Sequence, residues 1–101
     1  MTNYKQLRDE AGKVFYDIRK EYHEKMNDSL SQKISNTEDA YIFYLTGKIE
    51  IPKENFEMIL GKVKNQKVRE DILESWIREL EIFGWNAKVE EEKIVFGRRM
   101  K

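Results

Sequence analysis

Apolar residues recur every three or four positions through the first quarter of the chain: Tyr4, Leu7, Ala11, Val14, Phe15, Ile18, Tyr22 and Met26. That spacing keeps one face of a helix apolar and predicts a long amphipathic helix over 3–27, with Thr2 as its cap. The opposite face carries Lys5, Arg8, Asp9, Lys13, Asp17, Lys20 and Glu24 and reads as solvated. Gly12 interrupts the pattern at a cost of ~1 kcal/mol relative to alanine. Close approach by another element is the expected return. The turn-forming run "NDSLSQ" predicts the end of the helix.

Residues 40–51, "AYIFYLTGKIEI", fit two patterns. As a helix, Ser35 and Glu38 offer a capping box and Gly47 a stop. As a hairpin, Thr46-Gly47 turns between two runs rich in strand-forming residues. "KIEI" alternates polar and apolar and predicts a strand; the strand is also favoured for 40–46. Pro52 then suits the first position of a helix, where its missing N–H costs nothing.

Phe56, Ile59, Leu60 and Val63 predict a helix over 53–64. The phase slips across "KNQK", with Asn65 as a cap. A second helix over 67–83 carries Val68, Ile72, Leu73, Trp76, Ile77, Leu80 and Phe83. Gly84 stops it, because glycine enters the left-handed conformation without a Cβ penalty. Beyond it Trp85, Ala87 and Val89 alternate with polar residues, and Ile94 and Phe96 continue the apolar face after "EEEK". A β-ribbon with one buried and one wet face is expected. The fold class is therefore α+β in one domain over 1–101: a long N-terminal helix, two further helices and a small antiparallel sheet including a C-terminal hairpin.

The second half, strand, helix, helix, hairpin, is similar in element order to winged-helix domains. "ILESWIRELEIFGW" running into "NAKVEEEKIVFGR" looks like their second helix and wing. The resemblance implies a helix in the major groove of DNA. It covers about half the chain and is a pattern of elements, with no signature residues. At the polar positions of the 67–83 helix, Glu70, Asp71, Glu74, Glu79 and Glu81 outnumber Lys67, Arg69 and Arg78. The ribbon tip adds Glu90, Glu91 and Glu92. These carboxylates would face phosphates where a DNA binder needs lysine.

Net charge sharpens that objection. The chain has 19 basic and 19 acidic residues, without the basic excess of a general nucleic-acid binder. It has no cysteine, so thiol nucleophiles and thiolate zinc sites are excluded. No window nears the ~18 apolar residues of a membrane span, and the first residues lack a signal peptide's apolar core. A cytoplasmic protein is expected.

The single histidine, His23, has no neighbour in sequence to make it a ligand or a base, and a surface position is expected. Glu50, Glu54 and Glu57, like Glu70, Asp71 and Glu74, sit near predicted helix starts, where the helix dipole favours anions. No phosphate loop, dinucleotide fingerprint or nucleophile elbow occurs. The sequence thus predicts no catalytic residue, no cofactor and no metal. What remains is a surplus of aromatics for so small a core. Tyr41, Phe43, Tyr44, Trp76 and Trp85 are candidate anchors for another protein. The expected function is a small non-catalytic protein-binding module: an adaptor, regulator or inhibitor. Self-association is a second expectation, because the first helix carries more apolar stripe than the rest of the fold readily covers. The alternative is a dimeric winged-helix transcriptional regulator using Lys62, Lys64, Lys67, Arg69, Arg98 and Arg99. It requires those six side chains to converge.

Overall fold

Asn3 opens the first helix: its side chain accepts a hydrogen bond from the Gln6 N–H at 2.9 Å. The computed structural model describes residues 3–98, so Thr2 lies outside it. Helix α1 spans Tyr4–Lys33, 30 residues and about 45 Å. It runs straight through "NDSLSQ", contrary to the sequence expectation. Tertiary contacts decide this. Asn27 accepts the indole N–H of Trp76 at 2.7 Å, and Leu30 is buried one turn beyond Met26. Weak local propensity yields to such packing.

Helix α2, Thr37–Thr46, stands where a strand was favoured. Its cap is Asn36, whose side chain accepts from the Glu38 and Asp39 N–H groups. Those two carboxylates lie in the first turn, where the helix dipole favours them. Gly47, at φ 71°, closes the far end and donates to Phe43 O at 2.7 Å. The end signals of Asn36 and Gly47 and the seating of Phe43 on Trp85 override the strand propensity of 40–46.

That strand is β1, Ile49–Pro52. Helix α3, Lys53–Leu60, follows and stops at Gly61, short of the expected 64. Helix α4, Gln66–Ile82, starts at the expected cap, Asn65, which accepts from the Val68 N–H. Gly84, at φ 91°, ends the region as expected. Strands β2, Trp85–Val89, and β3, Lys93–Arg98, complete the chain. The sheet is antiparallel in the order β1-β3-β2. Ile51 pairs with Ile94, Ile49 and Ala87 with Phe96, and Val89 with Ile94. Ile49, Ile51, Ala87, Val89, Ile94 and Phe96 thus share one face, and Val95 lies on the other with Glu50 and Lys88. The class is α+β, with the long first helix and the small antiparallel sheet as expected, and with α2 as an additional helix.

The core lies between that face and α1, α3 and α4. Trp76, Phe56 and Phe96 form its aromatic centre, with ring centroids 5.4, 5.5 and 6.1 Å apart. Ile51, Ile72, Ile94 and Met26 seal it. Burying each such side chain contributes about 1.5–3 kcal/mol before ordering costs. Helix α1 gives the core only its second half, through Tyr22, Met26 and Leu30. From Asn3 to Val14 every residue is exposed, and the molecule measures 60 × 30 × 24 Å. The first half of α1 therefore projects from the body. Among the described residues nothing approaches Gly12 within 4 Å of where a Cβ would stand, so the close neighbour expected there is not found among them. Among the described residues no helix is long and apolar enough to cross a membrane.

Candidate functional site

Helix α2 has no buried residue. Tyr41 is 64 %, Ile42 45 %, Tyr44 85 % and Leu45 63 % exposed. The helix is held by Phe43, which stacks on Trp85 at 5.8 Å and 12°. Trp85 in turn meets Phe96 edge-on at 6.5 Å, which ties the stack to the core. A Lys33–Asp39 ion pair at 3.4 Å fixes the opposite end. The result is a helix seated through Phe43, with Tyr41, Ile42, Tyr44 and Leu45 turned to water. Ile82 and Phe83, just before the Gly84 corner that leads into Trp85, are also largely exposed.

The five aromatic candidates thus separate by role. Tyr41 and Tyr44 are open to a partner. Phe43 and Trp85 are half-buried and act as the seat beneath them. Trp76 is fully buried and hydrogen-bonded to Asn27, so it is a core residue and not a surface anchor. Sequence reasoning passed over Ile42, Leu45 and Ile82, and it counted Phe83 in the apolar stripe of the 67–83 helix, whereas Phe83 is 73 % exposed. A signal existed for the first two: read as a helix, "YIFYL" is apolar on every side, so part of it must face water.

The five basic candidates among the described residues do not converge. Lys62, Lys64, Lys67 and Arg69 lie in and after the α3–α4 loop. Arg69 is half-buried, and its guanidinium donates to Val63 O. Arg98 pairs with Trp85 at the root of the ribbon, which follows directly on the C-terminal end of α4. The other end of the ribbon, with Val89 and Ile94, lines a shallow hollow with Gln66, Arg69, Glu70 and Leu73 at the start of α4. Arg98 and the lysines therefore lie at opposite ends of a 17-residue helix, about 25 Å long. Glu90, Glu91 and Glu92 form the ribbon tip on the lysine side, where the Glu92 carbonyl accepts from the Lys53 N–H. Arg99 lies outside the described residues.

His23 contradicts its expected surface position. It is 8 % exposed, between α1 and α4. Nδ1 lies 2.8 Å from Glu79 Oε2, and Nε2 2.8 Å from Ser75 Oγ. This is the order of a nucleophile, a base and an orienting carboxylate. The surroundings do not serve that chemistry. Ser75 is itself buried, in mid-helix, and its Oγ also lies 2.9 Å from Ile72 O. Backbone N–H groups in mid-helix are spent on the helix, so none is aimed at a developing oxyanion. His23 instead forms the middle rung of a polar ladder. Arg19–Asp71 at 2.8 Å and Asn27–Trp76 at 2.7 Å are the rungs on either side. The i, i+4 spacing of 19, 23 and 27 places them on one face of α1. Among the described residues no three acidic or histidine side chains gather as a metal ion would need.

No protein-family model, curated protein or solved structure matches this chain.

Proposed function

We propose that the protein is a non-catalytic protein-binding module that docks an apolar segment of another protein on α2. One observation carries the reading: a seated helix holds Tyr41, Ile42, Tyr44 and Leu45 in solvent. From Ala40 to Thr46 this helix has no charged residue, although 38 % of the chain is charged. A charge-free window suits an uncharged, apolar partner segment, with the two tyrosine hydroxyls bonding at its rim. It offers nothing to phosphates.

The test starts with the intact protein immobilised and its native host's proteins and nucleic acids offered together. A captured protein is then purified and titrated. The Tyr41→Ala/Tyr44→Ala variant should bind it at least about tenfold more weakly, the loss typical of an anchor residue. Unchanged affinity, or capture of nucleic acid alone, overturns the reading. The alternative, a winged-helix regulator, draws on the order of β1, α3, α4 and the ribbon. The separation of Arg98 from the lysines weighs against it.

A further inference from the structure

We infer that the outer edge of β2 takes up an extended segment of another protein as a fourth strand of the sheet. Strand β2 pairs with β3 on one side, and among the described residues no strand lies on the other. Bonded and non-bonded residue pairs alternate along an antiparallel ladder. The Glu90 N–H, donating to Lys93 O at 2.9 Å, fixes the phase. Asn86 and Lys88 therefore spend their backbone groups on β3, and Trp85, Ala87 and Val89 turn theirs outward. Among the described residues no backbone group of another element meets them. The edge also lacks much of the usual protection against pairing. Its residues run in unbroken register, without proline or bulge. Val89 stays 50 % exposed, beside Leu73 of α4.

The charges along the edge choose the occupant. Lys93 is shared by Glu50 and Glu90, so Glu91 and Glu92 at the tip have no counter-ion among the described residues. Lys88 stands on the wet face of β2, and Trp85, Ala87 and Val89 point to the core side. The fitting segment is therefore basic where it passes the tip, acidic beside Lys88 and apolar opposite Trp85, Ala87 and Val89. Laid antiparallel, like the rest of the sheet, it exchanges two hydrogen bonds with each of those three residues. A second copy of this chain fits poorly. Full overlap of two β2 strands, centred on Ala87, lays each acidic tip over the carboxyl end of the other copy's α4, where the helix dipole is already negative. Centring on Lys88 opposes two lysines.

The probe is a synthetic peptide, Lys-Lys-Val-Glu-Val-Thr-Val, which matches that pattern when laid antiparallel to β2. Amide NMR of the intact protein with millimolar peptide should show the Ala87 and Val89 signals shifting most and their exchange slowing. Asn86 and Lys88, bonded to β3 throughout, should exchange slowly with or without it. The charge-swapped peptide Glu-Glu-Val-Lys-Val-Thr-Val should bind at least about threefold more weakly. Ala87→Pro removes an outward N–H and none that β3 uses. It should weaken peptide binding at least about tenfold while the Asn86 and Lys88 amides stay slow. The Tyr41→Ala/Tyr44→Ala variant should take the peptide unchanged, so the edge and the α2 reading stand or fall separately. No selective response at Ala87 and Val89 overturns the proposal, as do equal affinities for the two peptides. So does slow exchange of both amides without peptide, which means that the edge is already covered; slowing that grows with protein concentration assigns the cover to a second copy.

Discussion

Trp76 combines two duties that a smaller ring would divide. It fills the space between Phe56 and Phe96, and its N–H reaches Asn27 on α1. Trp76→Phe removes the donor and leaves a void. The expected loss is about 2 kcal/mol in urea unfolding, from the cavity and the lost hydrogen bond together. Asp71→Asn should cost under about 1 kcal/mol, because the Arg19–Asp71 pair is a third or more exposed on both sides. A larger loss for Asp71→Asn would mean that the ladder acts as one cooperative unit. None of this was visible in sequence. His23, Asn27 and Trp76 are each ordinary in their own neighbourhoods, and their partners lie about 50 positions away. Only packing brings them together.

Elements were legible where local chemistry and packing agree. The Asn65 cap and the Gly84 stop act within one turn of chain, and both stand as read. The two glycines give a paired prediction of opposite sign. Gly84→Ala forces a Cβ into a φ of 91° and should destabilise by about 1–2 kcal/mol. Gly12→Ala, in an exposed helix interior with nothing nearby, should stabilise by about 0.5–1 kcal/mol. Thermal melts of both variants decide this, and a destabilising Gly12→Ala would mean that something does approach Gly12 in solution. The end of α1 and the class of 40–46 were misread for related reasons. "NDSLSQ" is poor helix by propensity, but Met26, Asn27 and Leu30 are held by distant contacts. "YIFYL" is good strand by propensity, but Asn36 and Gly47 impose helical ends and Phe43 seats the helix on Trp85. Asn36→Ala should therefore loosen α2 at a cost of about 1 kcal/mol, read as faster amide exchange over 38–46.

At the scale of the whole molecule, zero net charge hides a particular layout. The lysines of the α3–α4 loop share their end of the molecule with the ribbon-tip glutamates, and Arg98 stands at the other end. A low-salt gel shift with random duplex should accordingly show no retention; retention that falls steeply with salt would contradict this layout. The exposed aromatics were foreseeable as a surplus, since the count exceeds what a core of this size takes in. Which ones stay outside was not, because that depended on α2 being helical. Trp85 forms the floor under α2 with its edge still reachable by water, while Trp76 is shut away. The molecule thus carries its two tryptophan fluorophores in unlike settings. A small quencher such as iodide can collide with one and not the other, so unlabelled protein distinguishes an event on the α2 side from an opening of the interior by which of the two signals moves.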